Sequence, residues 1–331
     1  MTFTVRVSHS EHAFPCEAGE SLLEAAGRAG FEIPYSCRKG VCLTCSGKVV
    51  AGTVEASGAV RTAPVEALFC AARPRSDLLI SPRRIARAVA AGAPREAEAR
   101  VFRLAEVGPG VVRLHLRFPI GVRVAFRAGQ SLDVLLQDGA RRTYSMANSP
   151  GESDGVELHV RIHPGGAFSD RLLRRLRPGD ALRLHLPHGT VAPDGADPRP
   201  LLLLATGTGL APAASILEEA VRRRWTRPLV LYRGGRTQAD LYLPDLPRRW
   251  ERRLRGFRHV PVLSRGCAAW PGHRGYVQDA LAAEWPDLAG AEVYASGSPA
   301  MVAAAWARCL AGGLPPEAFH ADAFVPADAS A

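Results

Sequence analysis

The chain has 331 residues, 47% hydrophobic and 22% charged, a globular balance on a length too great for one ordinary core, so two or three domains are expected. Its net charge of +10 does not read as a nucleic-acid footprint: residues 1–80 carry eight charges of each sign, and the arginines that supply the excess beyond them are scattered, not gathered in a stripe with interleaved aromatics. The longest strongly apolar run, Leu201–Ala205, is far short of a membrane span, and the alternating N-terminus Met1–Val7 lacks the regions of a signal peptide. A reducing, cytoplasmic setting is therefore expected, with no membrane partner.

Phe3, Val5 and Val7 alternate with polar residues, as in a half-buried strand. Ser21 and Glu24 form a capping box that opens a helix, and Gly30 can end it in the left-handed region. Strands over 47–50 and 53–56 are joined through Gly52. Cys37, Cys42 and Cys45 have the spacing C-x4-C-x2-C, and Cys70 follows after 24 residues. This is the plant-type [2Fe–2S] pattern, with potentials near about −400 mV. Four thiolates must converge on two irons, so three come from one tight loop and the fourth from elsewhere. Gly40, Thr44 and Ser46 are small enough to let backbone N–H groups reach sulfur, and Arg38 and Lys39 set positive charge beside a negative cluster. Structural zinc is the alternative, but it favours two short cysteine pairs, and only one is present. Cys16 in a strand, Cys267 in a loop and Cys309 on a helix read as inert thiols.

Residues 83–96 have the composition of a linker. Beyond them, six short strands are predicted over 100–106, 111–118, 130–136, 142–146, 156–162 and 181–186, separated by turns at Gly108–Gly110, Asp138–Gly139 and Pro178–Asp180, the spacing of a small antiparallel barrel. Two segments could seat a flavin there. In the first, Arg142 can fork onto a phosphate, Tyr144 can lie against an isoalloxazine face, and Ser145 can bond the ring nitrogen where hydride arrives. In the second, Gly165, Gly166 and Ser169 precede a predicted helix over 170–177, an arrangement that offers free N–H groups to an anion.

Leu201–Ala205 reads as a parallel strand buried on both faces. Thr206-Gly207-Thr208-Gly209-Leu210-Ala211-Pro212 follows, then a helix to about Arg224. Strand, glycine turn and helix are the context a dinucleotide loop requires. Strands over 229–232, 259–263 and 292–295 alternate with helices, including 301–310, as in a doubly wound α/β domain. After the second strand no acid appears until Asp240. Arg236 there, and Arg265 at the next strand end, point to tolerance of the NADPH 2′-phosphate alongside NADH.

With its cysteine loop, Arg-Thr-Tyr-Ser, Pro-Gly-Gly-Ala-Phe-Ser, Gly-Thr-Gly-Leu-Ala-Pro, Tyr294–Met301 and the terminal stretch 321–326, the chain resembles the ferredoxin–flavin reductase components of ring-hydroxylating dioxygenase systems. It is equally similar to the reductase partner of a CDP-deoxyhexulose dehydrase. The resemblance covers nearly the whole chain. It implies a β-grasp plant-type ferredoxin over 1–82, a six-stranded FAD-binding barrel over 97–197 and an α/β NAD(P)-binding domain over 198–331. Cys37, Cys42, Cys45 and Cys70 would hold the cluster. Arg142, Tyr144, Ser145, Gly166 and Ser169 would hold FAD, with Phe324 near its ring. Gly207, Thr208, Gly209 and Pro212 would line the nicotinamide dinucleotide site. Two departures stand out: the family usually has Gly at Leu43 and Cys at Ser296. The bulkier Leu43 is expected to crowd the cluster's exposed edge, and Ser296, set beside the nicotinamide, to slow hydride transfer without abolishing it. Electrons would run from NAD(P)H through FAD and the cluster to a terminal oxygenase or other electron-accepting protein. A monomer is expected. A redox-sensing, metal-binding module without turnover is the rival reading from another class.

Overall fold

The computed structural model describes residues 1–88 and 94–325; residues 89–93 of the expected linker and Pro326 of the terminal motif lie outside them. The first unit is a five-stranded sheet in the order Ala13–Glu17, Thr2–Val7, Leu78–Pro82, Ser46–Ala51, Val65–Leu68. The helix Leu22–Arg28 covers it, and Val5, Leu22, Val49, Phe69 and Ile80 are fully buried between them. The capping box forms as the sequence implies: Glu24 N–H donates to Ser21 Oγ at 3.2 Å, and Ser21 N–H to the Glu24 carboxylate at 3.1 Å. Gly52 does join the strands on either side, but these belong to different sheets. The chain turns sharply there at a φ of +98°, where a Cβ would lie 2.2 Å from the Asp77 carbonyl.

The expected linker is drawn into both neighbours. Ala86–Arg87 pairs with Phe31–Glu32, and Arg95 already belongs to the long strand Arg95–Gly108. The six strands of the middle unit run in the order Arg141–Ser145, Ser131–Leu135, Ala181–His188, Arg95–Gly108, Val111–Arg117, Gly155–Arg161. A bridge between Met146 and Leu158 joins the two outer strands and closes the barrel. Leu114, Leu132, Met146, Leu158 and Leu184 fill it.

The helix predicted over 170–177 is replaced by a single wide turn, Ala167–Leu172. The Gly166 carbonyl accepts N–H groups from both Asp170 (3.1 Å) and Arg171 (3.0 Å), and Leu173 N–H reaches Phe168 at 2.8 Å, a five-residue spacing that an α-helix lacks. Asp170 does not start a helix; its carboxylate reaches back to Gly165 N–H at 2.8 Å.

The last unit is a six-stranded parallel sheet in the order His273–Arg274, Phe257–Leu263, Leu229–Gly235, Leu201–Thr206, Glu292–Gly297, Phe319–Ala323. Leu201 and Leu203 feed the core on one face, and Leu202 and Leu204 the core on the other. That is why four successive leucines are all fully buried. The edge strand Phe319–Ala323 carries the chain back to the place where the three units meet.

Candidate functional site

A cavity of about 890 Å³ opens at that junction, within the range of cofactor pockets. Its walls come from the cysteine loop (Ser36, Cys37, Lys39), the barrel (Arg142, Tyr144, Ser145, Gly166, Ser169) and the parallel sheet (Thr206, Gly207, Thr208, Arg236, Asp322, Phe324). Residues far apart in sequence, singled out on separate grounds, thus share one space.

The three loop cysteines and Cys70 gather as two pairs. Cys42 donates to Cys37, and this bond, with backbone N–H groups from Lys39, Val41 and Cys42, outweighs burial and holds the Cys37 thiol below its ordinary value. Cys45 donates to Cys70, whose thiol is also held below its ordinary value. Lys39 N–H lies 3.3 Å from Cys37 Sγ. Two thiol pairs, met by backbone N–H groups, fit a two-iron cluster that takes two thiolates at each metal. Leu43 stands in this loop at a φ of +65°, the left-handed region that glycine enters without steric cost. The loop is pinned from outside: Thr44 Oγ1 donates to the Ala321 carbonyl at 2.9 Å, and Tyr35 and Thr190 exchange two bonds at 3.0 and 3.1 Å.

On the barrel wall, Tyr144 and Ser145 follow Arg142 along the strand that pairs with Ser131–Leu135. Burial pushes the Tyr144 hydroxyl up, so it stays protonated, and its ring meets Phe168 at 5.3 Å between centroids. Such an apolar shelf suits an aromatic ring system. The wide turn presents Gly166, Ala167, Phe168 and Ser169 to the cavity. Phe324, whose N–H donates to the Gly297 carbonyl at 2.8 Å, faces it from the other side.

Asp322 was not singled out by sequence. It is buried, and two hydroxyls donate to it: Ser145 Oγ at 2.6 Å and Ser36 Oγ at 2.8 Å. Burial raises its carboxyl above the ordinary value. One side chain of the parallel sheet therefore ties the flavin-seat serine to the residue preceding Cys37. Its only sequence signal was its place in the terminal motif, two residues before Phe324.

Five singled-out residues stand behind the wall instead of on it. Gly165 spends its N–H on Asp170. Gly209 is required by packing, since a Cβ would fall 2.1 Å from the Ser296 carbonyl. Pro212 is buried in the first turn of the helix Leu210–Arg223, where a missing N–H costs nothing. Arg265 N–H donates to the Arg236 carbonyl at 2.8 Å, bracing the loop that carries Arg236. Ser296, expected beside the nicotinamide, is fully buried with its hydroxyl donating to the Gly209 carbonyl at 2.7 Å. Its side chain fastens the glycine loop and does not enter the cavity.

At the second strand end, Asp240 does reach the cavity, but its Oδ2 is taken by Arg236 N–H (3.0 Å) and Thr237 N–H (2.8 Å). Arg236 is exposed at the rim. Sequence reasoning also missed His159, a cavity residue held from behind by Tyr242 Oη at 2.9 Å and Glu157 at 3.2 Å.

Three family models match in order: a 2Fe-2S iron-sulfur cluster binding domain over residues 5–75, an oxidoreductase FAD-binding domain over 98–192 and an oxidoreductase NAD-binding domain over 203–306. The chain is 38% identical to the terephthalate 1,2-dioxygenase reductase component 2 of Comamonas sp, with 98% of each chain covered. It is 30% identical to the CDP-6-deoxy-L-threo-D-glycero-4-hexulose-3-dehydrase reductase of Yersinia pseudotuberculosis, over 98% of this chain and 99% of that one. Among solved structures, the cytochrome P450 reductase of Amycolatopsis superposes with a TM-score of 0.74 at 34% identity, covering 98% of this chain and 99% of that one. The chain belongs to the family of NAD(P)H-dependent, FAD-containing [2Fe–2S] reductases that serve as reductase components of oxygenase systems.

Proposed function

We propose that this reductase delivers its electrons to a separate terminal oxygenase acting on an aromatic substrate. The oxygenase acceptor rests on the 38% identity to a dioxygenase reductase component over 98% of the chain; the internal electron route rests on the shared carboxylate, since Ser36, next to Cys37, and Ser145, in the flavin seat, both donate to Asp322. The cluster loop and the flavin seat are thereby held in fixed register, as electron passage between them requires.

When bound, the flavin takes the two electrons of a hydride together and releases them singly to the cluster. The chain's own residues bind, orient and exclude water. Arg142 and the N–H groups of the wide turn after Gly166 would hold the pyrophosphate, with Tyr144 and Phe168 as the apolar shelf for the ring. Ser145 would lie beside the ring, its hydroxyl proton directed to Asp322. Gly207 and Thr208 would line the phosphate cradle for the nicotinamide dinucleotide, and Phe324 would pack near the flavin ring. Arg236, with Asp240 occupied in its own loop, accepts a 2′-phosphate, so NADPH is used as well as NADH.

The aromatic-dioxygenase relative at 38% identity supports the oxygenase acceptor; the deoxyhexulose dehydrase relative at 30% supports a second, different acceptor. Mixing the purified holoprotein and NADH with each class of acceptor under anaerobic conditions tests the choice. Rapid reduction of the oxygenase centre is expected, and reduction of the dehydrase alone would overturn it.

A further inference from the structure

Away from the cofactor cavity, where the barrel meets the cysteine loop, three side chains converge that none of the roles above uses. Asp133 and His188 are 2% exposed, and His185 is half-buried beside them. One donor atom from each lies within 4.8 Å of the other two. His188 Nε2 is 3.0 Å from His185 Nδ1 and 3.2 Å from Asp133 Oδ2. Donors bonded to zinc at about 2.0–2.1 Å in a tetrahedron stand slightly more than 3 Å apart, close to this spacing. The set is also chemically coherent: two imidazoles and a carboxylate suit zinc better than magnesium or calcium. Asp133 is oriented from behind, Thr143 Oγ1 donating to its other oxygen at 2.7 Å.

The same carboxylate oxygen has a second suitor. Arg38 Nη2, on the residue after Cys37, lies 3.1 Å from Asp133 Oδ2, and Arg141 Nη1 is 3.9 Å away. A divalent ion on that oxygen and the Arg38 guanidinium 3.1 Å from it are like charges and repel one another. We propose that Asp133, His185 and His188 form a facultative zinc(II) site at the junction of barrel and cysteine loop, whose occupancy competes with the Arg38–Asp133 ion pair.

Because the two cations repel, zinc binding and the ion pair each weaken the other by the same factor. Zinc at Asp133 therefore weakens one of the ties that hold the cysteine loop to the barrel. The site is a weak one. Metal-bound His188 must carry its proton on Nδ1, which is buried and has no hydrogen-bond partner among the described residues. Loss of such an outer hydrogen bond lowers metal affinity by about 10–100-fold. The site therefore responds to changing zinc and does not hold it permanently.

The test is a titration of the iron- and flavin-loaded protein with Zn2+ against a chromophoric chelator, with the visible absorption of cluster and flavin recorded throughout. One Zn2+ per chain is expected, with cluster absorption intact and Mg2+ ineffective as a competitor. His185→Gln weakens binding at least about tenfold. Arg38→Gln, which leaves all three ligands in place, tightens it severalfold, and this second variant decides the matter should His185→Gln lose its flavin. Unchanged affinity in Arg38→Gln overturns the proposal, as does equal binding by His185→Gln, or zinc uptake that bleaches the cluster and so occurs at the cysteines.

Discussion

Ser296 shows how much a side chain's direction matters. Its position after the strand Glu292–Ala295 was readable, but a strand end does not announce which way its last side chains point. The structure turns the hydroxyl onto the Gly209 carbonyl, a bond buried from solvent. Ser296→Ala is therefore expected to cost about 1 kcal/mol of stability and to raise the KM for NADH more than it lowers kcat. Thermal unfolding and steady-state kinetics check this; a pure kcat effect would return the side chain to the nicotinamide. Leu43 is the complementary case. The sequence marked it as an unusual residue in the cysteine loop, and its left-handed backbone supplies the reason glycine suits the position. The role of Asp322 was not legible beyond its place in the terminal motif, because its partners stand 177 and 286 residues away in the chain.

Elements were more readable than contacts. Cysteine spacing, alternation in the barrel strands and the run of four leucines each declare a local geometry without help from the fold. The wide turn after Gly166 failed this test: Asp170 resembles a helix start, yet its carboxylate serves the preceding glycine turn, and the bond spacing that widens the turn leaves no trace in composition. The loop after Leu201–Thr206 was legible as a dinucleotide cradle, but not as a packing joint. There Gly207 and Gly209 do different work, one facing the cavity and the other pressed on the Ser296 backbone. Gly209→Ala is expected to destabilise the protein by roughly 1–3 kcal/mol, since a backbone carbonyl and not a flexible side chain must yield. It is also expected to weaken nucleotide binding at least tenfold. Chemical denaturation and nucleotide titration measure both effects, and a stable variant with unaltered affinity would show that the loop can relax.

At the scale of the whole molecule, the barrel and the parallel sheet are joined by a polar network. Burial alone would push the Glu157 carboxyl up, but hydrogen bonds from His159 and Arg113 prevail and bring it down to about 2. Tyr242, in the loop that follows the strand Leu229–Gly235, completes the network through His159. A depressed carboxyl contributes stability that is fully present above its ordinary value of 4.5 and is lost as pH falls towards about 2. Wild type should thus exceed Glu157→Gln by roughly 2–3 kcal/mol at pH 6, allowing for the partial exposure of Arg113. That gap should close across this acid window; a gap independent of pH would mean that packing, not charge, supplies it. No helix among the described residues is long and apolar enough to cross a membrane.

The three-unit junction exists, on this account, so that hydride electrons reach iron one at a time within a single chain. Anaerobic stopped-flow spectroscopy of the loaded protein with NADH tests that most directly, supported by electron paramagnetic resonance of the frozen product. The flavin absorption should bleach first, followed by the cluster absorption, with the signal of a reduced [2Fe–2S] centre in the final sample. A flavin that bleaches fully while the iron stays oxidised would contradict it.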